Sequence, residues 1–228
     1  MAAGLTKATI VQAAFAVLDE AGMDGLTVRA LAARLGVKAP ALYWHVPSKQ
    51  ALLDEMATQV WRQVGETMTA LPEDLPWREF MTIYPAVMRR ELLAHRDGAK
   101  AFSGTTLTDP EGVRRGEVTF GRLVRQGFTL QEAARSLLLL HYFTVGACVE
   151  EQATAQAIGS GDERYSLERR AEMIGPDAPL AVQAGEVIFG EPEARFRELT
   201  GMLIDTIARH KGEVDPEGGA EGTPQCGR

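Results

Sequence analysis

The segment Leu26–Lys49, LTVRALAARLGVKAPALYWHVPSK, leaves few folds open to this chain. Thr27 can cap a short helix through Leu31 and Leu35, and Gly36 can end it, because glycine readily takes the left-handed conformation of a tight stop. Pro40 suits the first turn of a further helix, where its missing N–H costs nothing. Ala32 is small enough for close helix approach, while Leu31, Leu35, Val37 and Leu42 supply an inward face. Two helices at a steep angle around a glycine turn make a helix-turn-helix. Lys38, Ala39, Ala41, Tyr43, Trp44 and His45 are then expected to face outward, with Lys49 just beyond. Such an aromatic, basic surface suits the DNA major groove: the N-terminal members reach base edges and Lys49 a phosphate. A plain helical hairpin in an all-α bundle has the same pattern, so the residues alone leave both readings open.

Charge agrees only if it is divided. Residues 1–50 carry five basic side chains (Lys7, Arg29, Arg34, Lys38, Lys49) and three acidic ones (Asp19, Glu20, Asp24), leaving −9 for the remainder of a chain whose total is −7. A mildly basic head on an acidic body is compatible with DNA contact at one end. With 45% hydrophobic residues the chain can bury a substantial core. The longest apolar run, Leu137–Val149, is too short to span a bilayer. No signal peptide, no membrane segment and no bridge between Cys148 and Cys226 are expected, which fits a cytoplasmic location.

The remaining pattern is helical. Thr6 can cap a first helix whose apolar positions Ile10, Val11, Ala14, Phe15 and Leu18 recur at helical spacing, with Gly22 as its stop. Asp19 and Glu20 near its C-terminus oppose the helix dipole. Ser48 can cap a fourth helix to about Met68, and Leu71–Pro76 breaks the chain. A helix from Trp77 contains Pro85, which should kink or split it. Residues 103–110 read as a loop, 111–126 as one helix, and Thr129–Glu151 as a helix apolar on nearly every side, hence central or at an interface. Residues 153–177 read as a mobile loop with some helix, and Pro192–His210 as a last helix. The expected domains are a head over 1–48, a linker helix and body over 49–211, and a disordered tail over 212–228.

The stretch LTVRALAARLGVKAPALYWHVPSKQALLD resembles the N-terminal domain of the tetracycline-repressor (TetR) family, above all in LYWHV followed by a Ser-Lys pair and a leucine-rich helix. LLAHRDGAK, Gly104-Thr105, Gln126-Gly127-Phe128, Phe143-Thr144 and Glu150 resemble that family's ligand-binding domain. The resemblance implies an all-α homodimer: a three-helix helix-turn-helix domain plus a larger C-terminal helical ligand-binding and dimerisation domain. It implies a repressor bound to a palindromic double-stranded operator and released when a small molecule shifts the fourth helix. Carried onto this chain, the DNA contacts are Arg29, Lys38, Ala39, Pro40, Ala41, Tyr43, Trp44, His45 and Lys49. Arg29 suits a guanine, Tyr43 and Lys49 suit phosphates, and Ala39 and Ala41 replace polar base-reading residues, so the operator should differ. Dimerisation is expected through the two late helices.

The same resemblance implies a magnesium–tetracycline site with an imidazole ligand. This chain has Phe102 there, and a phenyl ring offers no lone pair to a cation. Thr105 and Glu150 remain from the metal's surroundings, while Gly65, Tyr84 and Met88 replace the groups that grip the drug, and Thr106 and Leu107 replace loop residues. The effector is therefore expected to be small and largely apolar or aromatic, without metal or cofactor. Tyr84, Met88, Phe102, Leu107, Leu138, Tyr142 and Phe143 are candidate cavity walls, with Thr105, Thr119, His141 and Glu150 as polar points. No nucleophile–base pair, metal spacing or phosphate loop points to an enzyme. A constitutive DNA-binding protein, or a carrier or enzyme on the same fold, is the alternative.

Overall fold

The computed structural model describes residues 5–161 and 166–212, which hold twelve helices and no strand. The expected tail, with Cys226, lies outside them apart from Gly212. Helix α1 (Lys7–Gly25) opens on Thr6, whose hydroxyl accepts from the Thr9 N–H at 3.2 Å while the Thr6 N–H donates to Thr9 Oγ1 at 2.9 Å. Gly22, at φ 69°, interrupts the helical geometry, but one more turn follows to Gly25. Helix α2 (Val28–Leu35) is capped by Thr27 and ended by Gly36 at φ 65°. Helix α3 (Ala39–Tyr43) has five residues and carries Pro40 in its first turn. Leu31 and Leu42, each 1% exposed, close these helices onto Ile10, Ala14 and Leu18.

Ser48 caps α4 (Lys49–Thr69), which at 1.5 Å per residue is roughly 30 Å long. Its Leu52, Leu53, Met56, Ala57 and Val60 complete the head's core, and its Val64 and Met68 enter a second core in the body. The head's core also takes in Leu92, Ala99, Ala101, Phe102 and Cys148. Head and body thus share a continuous apolar joint, with α4 as the element common to both.

Helix α5 (Trp77–Leu93) packs along α9 (Leu130–Gly159) in the body. Pro85 does not split α5: its ring is buried and the helix runs on unbroken. A proline in a helix interior costs about 3 kcal/mol, and packing against α9 offsets it. The short α6 (Gly98–Phe102) follows, then α7 (Pro110–Arg114) and α8 (Gly116–Arg125). The single helix expected over 111–126 is divided at Arg115–Gly116, where glycine weakens helix propensity. Helix α9 outruns its expected end at Glu151 by two turns, because Ala153, Ala155 and Ala157 continue it. Much of the expected loop beyond is α10 (Leu167–Ile174), with α11 (Pro179–Ile188) after it and α12 (Pro192–His210) last. One face of α9 is buried through Ala133, Leu137, Leu140 and Cys148, while Leu138, Leu139 and Tyr142 are exposed. Leu199 and Met202 of α12 are exposed likewise. No helix among the described residues is long and apolar enough to cross a membrane.

Candidate functional site

The head presents one continuous polar and aromatic face. Arg29 on α2 and Lys38, Pro40, Tyr43 and Trp44 around α3 are exposed, Trp44 to 90%. A tryptophan left so bare forgoes about 25 cal/mol for each Å² of apolar surface it could bury. Ala39, Ala41 and His45 are half-buried, Ala39 against the head's core, so the outward face is narrower than the sequence alone implies. Lys49, at the start of α4, donates to the Met23 carbonyl at 2.9 Å, which ties its ammonium to the end of α1 and leaves two donors for other acceptors.

That end of α1 is fastened to the body by polar contacts. Asp19 lies 3.0 Å from His95 Nδ1 and accepts the Arg96 N–H at 3.1 Å. Glu20 pairs with Arg34 at 2.7 Å, and its carbonyl accepts from Arg96. Asp97, a non-glycine residue at φ 55°, accepts the Met23 N–H at 2.9 Å and Gln156 Nε2 at 2.7 Å. Burial works to raise the Asp97 pKa, but those hydrogen bonds and the Arg96 and Lys100 charges outweigh it and hold the carboxyl below its usual range. Gln152 receives the Ala99 N–H and donates to the His95 carbonyl at 2.7 Å. Of the acidic pair that opposes the α1 dipole, Asp19 therefore docks the body, while the Glu20 carboxylate braces α1 against α2. Gln152 and Gln156 carry no sequence signal, because their role exists only once α9 is known to reach that far.

Beside α4 lies a cavity of about 570 Å³. Of the candidate residues, Tyr84, Thr105, Leu107, Thr119, Leu138, His141 and Tyr142 line it. Met88, Phe102, Phe143 and Glu150 do not. Met88 is fully buried in the body's core. Phe102 packs in the joint between head and body, 6.0 Å from the Phe15 ring and 6.3 Å from His95. Phe143 stacks on Phe196 at 5.4 Å, and Glu150 is exposed on the same side of α9, in a separate groove. Trp61, Phe120 and Arg115 complete the walls without having been singled out by the sequence. Trp61 and His141 are 5.1 Å apart, ring to ring. Burial lowers the His141 pKa, which favours the neutral imidazole, and pushes Tyr84 up to about 12, so its hydroxyl keeps its proton.

The loop after α6 joins this cavity to α4. Asp54 Oδ1 accepts the Thr106 N–H at 3.1 Å, Thr58 Oγ1 accepts the Thr108 N–H at 2.9 Å, and Arg62 pairs with Asp109 at 3.0 Å. Leu107 points into the cavity from between those links.

A helix-turn-helix head fused through one helix to an all-helical body with an aromatic cavity defines a DNA-binding regulator with a small-molecule receiver domain. Residues 10–56 match the bacterial regulatory proteins of the tetR family, and residues 70–210 match the tetracyclin repressor-like C-terminal domain. The class A tetracycline repressor protein of Escherichia coli, from transposon 1721, is 37% identical over 205 residues, 89% of this chain and 90% of that protein. A class A repressor solved with 5a,6-anhydrotetracycline and magnesium superposes with a TM-score of 0.67 at 32% identity, covering 90% of this chain and 99% of the other. ActR of Streptomyces coelicolor, solved with actinorhodin, gives 0.78 at 27% identity, with 92% and 100% covered. The chain belongs to the tetracycline-repressor family of bacterial transcriptional regulators.

Proposed function

We propose that this protein is a ligand-responsive, cytoplasmic repressor that binds a palindromic operator as a homodimer and is released by a small, largely apolar or aromatic effector. The observation that carries this reading is the pairing of a bare Arg29–Lys38–Tyr43–Trp44 face with a cavity linked to it through α4. Arg29 contacts a guanine edge, while Lys38 and the residues to His45, with Lys49, set the head on the groove and its phosphates. The exposed apolar rows of α9 and α12 form the dimer interface, a four-helix bundle with the partner's pair. Effector in the cavity displaces the loop carrying Leu107, breaks its links to Asp54, Thr58 and Arg62, and lets α4 swing the head.

The related repressor's magnesium–tetracycline does not fit this donor set. Phe102 is committed to the joint and offers no lone pair, and Glu150 faces another groove. Magnesium–tetracycline should leave the DNA complex intact. A gel shift on DNA flanking the protein's own gene tests the reading: a sequence-specific shift at low salt is expected, and its absence refutes it. Arg29→Ala should relax specificity at one base pair, whereas uniform weakening across sequences would make Arg29 a phosphate contact. Light scattering at micromolar concentration should report a dimer.

A further inference from the structure

We propose that Arg115 makes the cavity selective for planar aromatic effectors bearing an ionised acid group; this rests on the effector reading above. Arg115 sits at the break between α7 and α8, and its Nη1 is buried with no hydrogen-bond partner among the described residues. A guanidinium keeps its charge in any protein environment, and a buried donor left without an acceptor is destabilising. Gly65 of α4 lies beside the side chain, where a Cβ would be in ordinary contact with Arg115 Cδ at 3.5 Å.

Among the described residues no acidic side chain lines the cavity, and Arg115 is the sole formal charge in its walls. Asp109 feels the Arg115 charge, but its carboxylate already receives Arg62 at 3.0 Å and the Glu111 N–H at 2.9 Å. The walls next to it, Trp61, Phe120 and His141, are aromatic, and the volume suits a drug-sized molecule. An acidic oxygen on a flat ring system would balance the Arg115 charge, while the rings cover Trp61 and His141. A neutral ring system fills the same walls and offers at most an uncharged acceptor, leaving the guanidinium's charge unbalanced.

Isothermal titration of the full-length protein with anthracene-2-carboxylate and with its neutral counterpart anthracene-2-carboxamide tests this. Wild type should bind the acid about ten- to a hundredfold more tightly, the range of a hydrogen bond to a charged group. Arg115→Gln should lose that factor for the acid and hold the amide within about twofold, and Arg115→Lys should keep part of the preference. Equal affinities in wild type, or a preference that persists in Arg115→Gln, overturn the assignment. If both probes bind equally and both release DNA, the effector reading stands and the role of Arg115 fails. If neither probe binds wild type, both fall. Melting by circular dichroism checks the variants, and should Arg115→Gln not fold, the ratios in wild type and Arg115→Lys decide.

Discussion

At the joint between α1, α6 and α9, Asp97, Asp19, Gln152 and Gln156 each spend their polar atoms on named partners in another element. In the cavity, some 570 Å³ of space is lined by Tyr84, His141 and Arg115, and a buried nitrogen of Arg115 has no acceptor among the described residues. The two regions both place polar groups among apolar packing and differ in completion. A finished network holds two bodies in one arrangement. An unfinished one stores a preference for whatever molecule completes it. On the proposed reading the joint transmits and the cavity receives, and substitutions should separate the two roles.

The largest effect should come from Asp97→Ala. It removes the acceptor of Met23 N–H and Gln156 and puts alanine at φ 55°, which together should cost about 3 kcal/mol, read as a lower denaturant midpoint. Gly22→Ala should cost about 2 kcal/mol, since the backbone there is at φ +69° and a Cβ would meet Asp97 Oδ2 at 2.7 Å. An undiminished midpoint in either variant would break the picture of a finished joint. Acid should act on the same place. Because the Asp97 pKa is depressed in the folded chain, its contribution is present above the usual carboxylate range and is lost as pH falls through the folded pKa. The stability gap between wild type and Asp97→Asn should therefore close below about pH 4; a gap that persists would assign the effect to shape and not to charge. The smallest change should be Tyr84→Phe. Burial alone raises that pKa, with no hydrogen bond among its causes, so stability should stay within about 0.5 kcal/mol while effector affinity changes.

The head was legible from sequence because its signals are local. Thr6, Thr27 and Ser48 cap the helices they were expected to cap, and Gly36 ends α2 in the left-handed conformation. In the body α5, α9 and α12 followed from periodicity, whereas α6 and α11 gave no such signal and α9 ran past its expected end to Gly159, because its late residues favour helix and find partners in the joint. The cavity was half legible. Tyr84, Thr105, Leu107, Thr119, Leu138, His141 and Tyr142 line it, since resemblance carried their positions. Phe102 and Glu150 lie elsewhere for two reasons: the changed side chain of Phe102 turns toward Phe15, and Glu150, although retained, sits on a face of α9 that opens on another groove. Arg115 was missed because an arginine in a polar stretch reads as surface until the fold buries one of its nitrogens.

Asp54, Thr58 and Arg62 stand four residues apart on α4 and hold Thr106, Thr108 and Asp109 of the loop. Four residues advance a helix by about 6 Å, whereas a hydrogen bond is lost beyond about 3.5 Å. A slide of the loop by less than a full turn therefore meets no alternative register: it forfeits all three links and gains none. If this loop carries the proposed signal, the coupling is notched and not graded: each molecule should respond to effector as a latch that is either engaged or free, so that intermediate doses change how many molecules have switched and not how far each has moved.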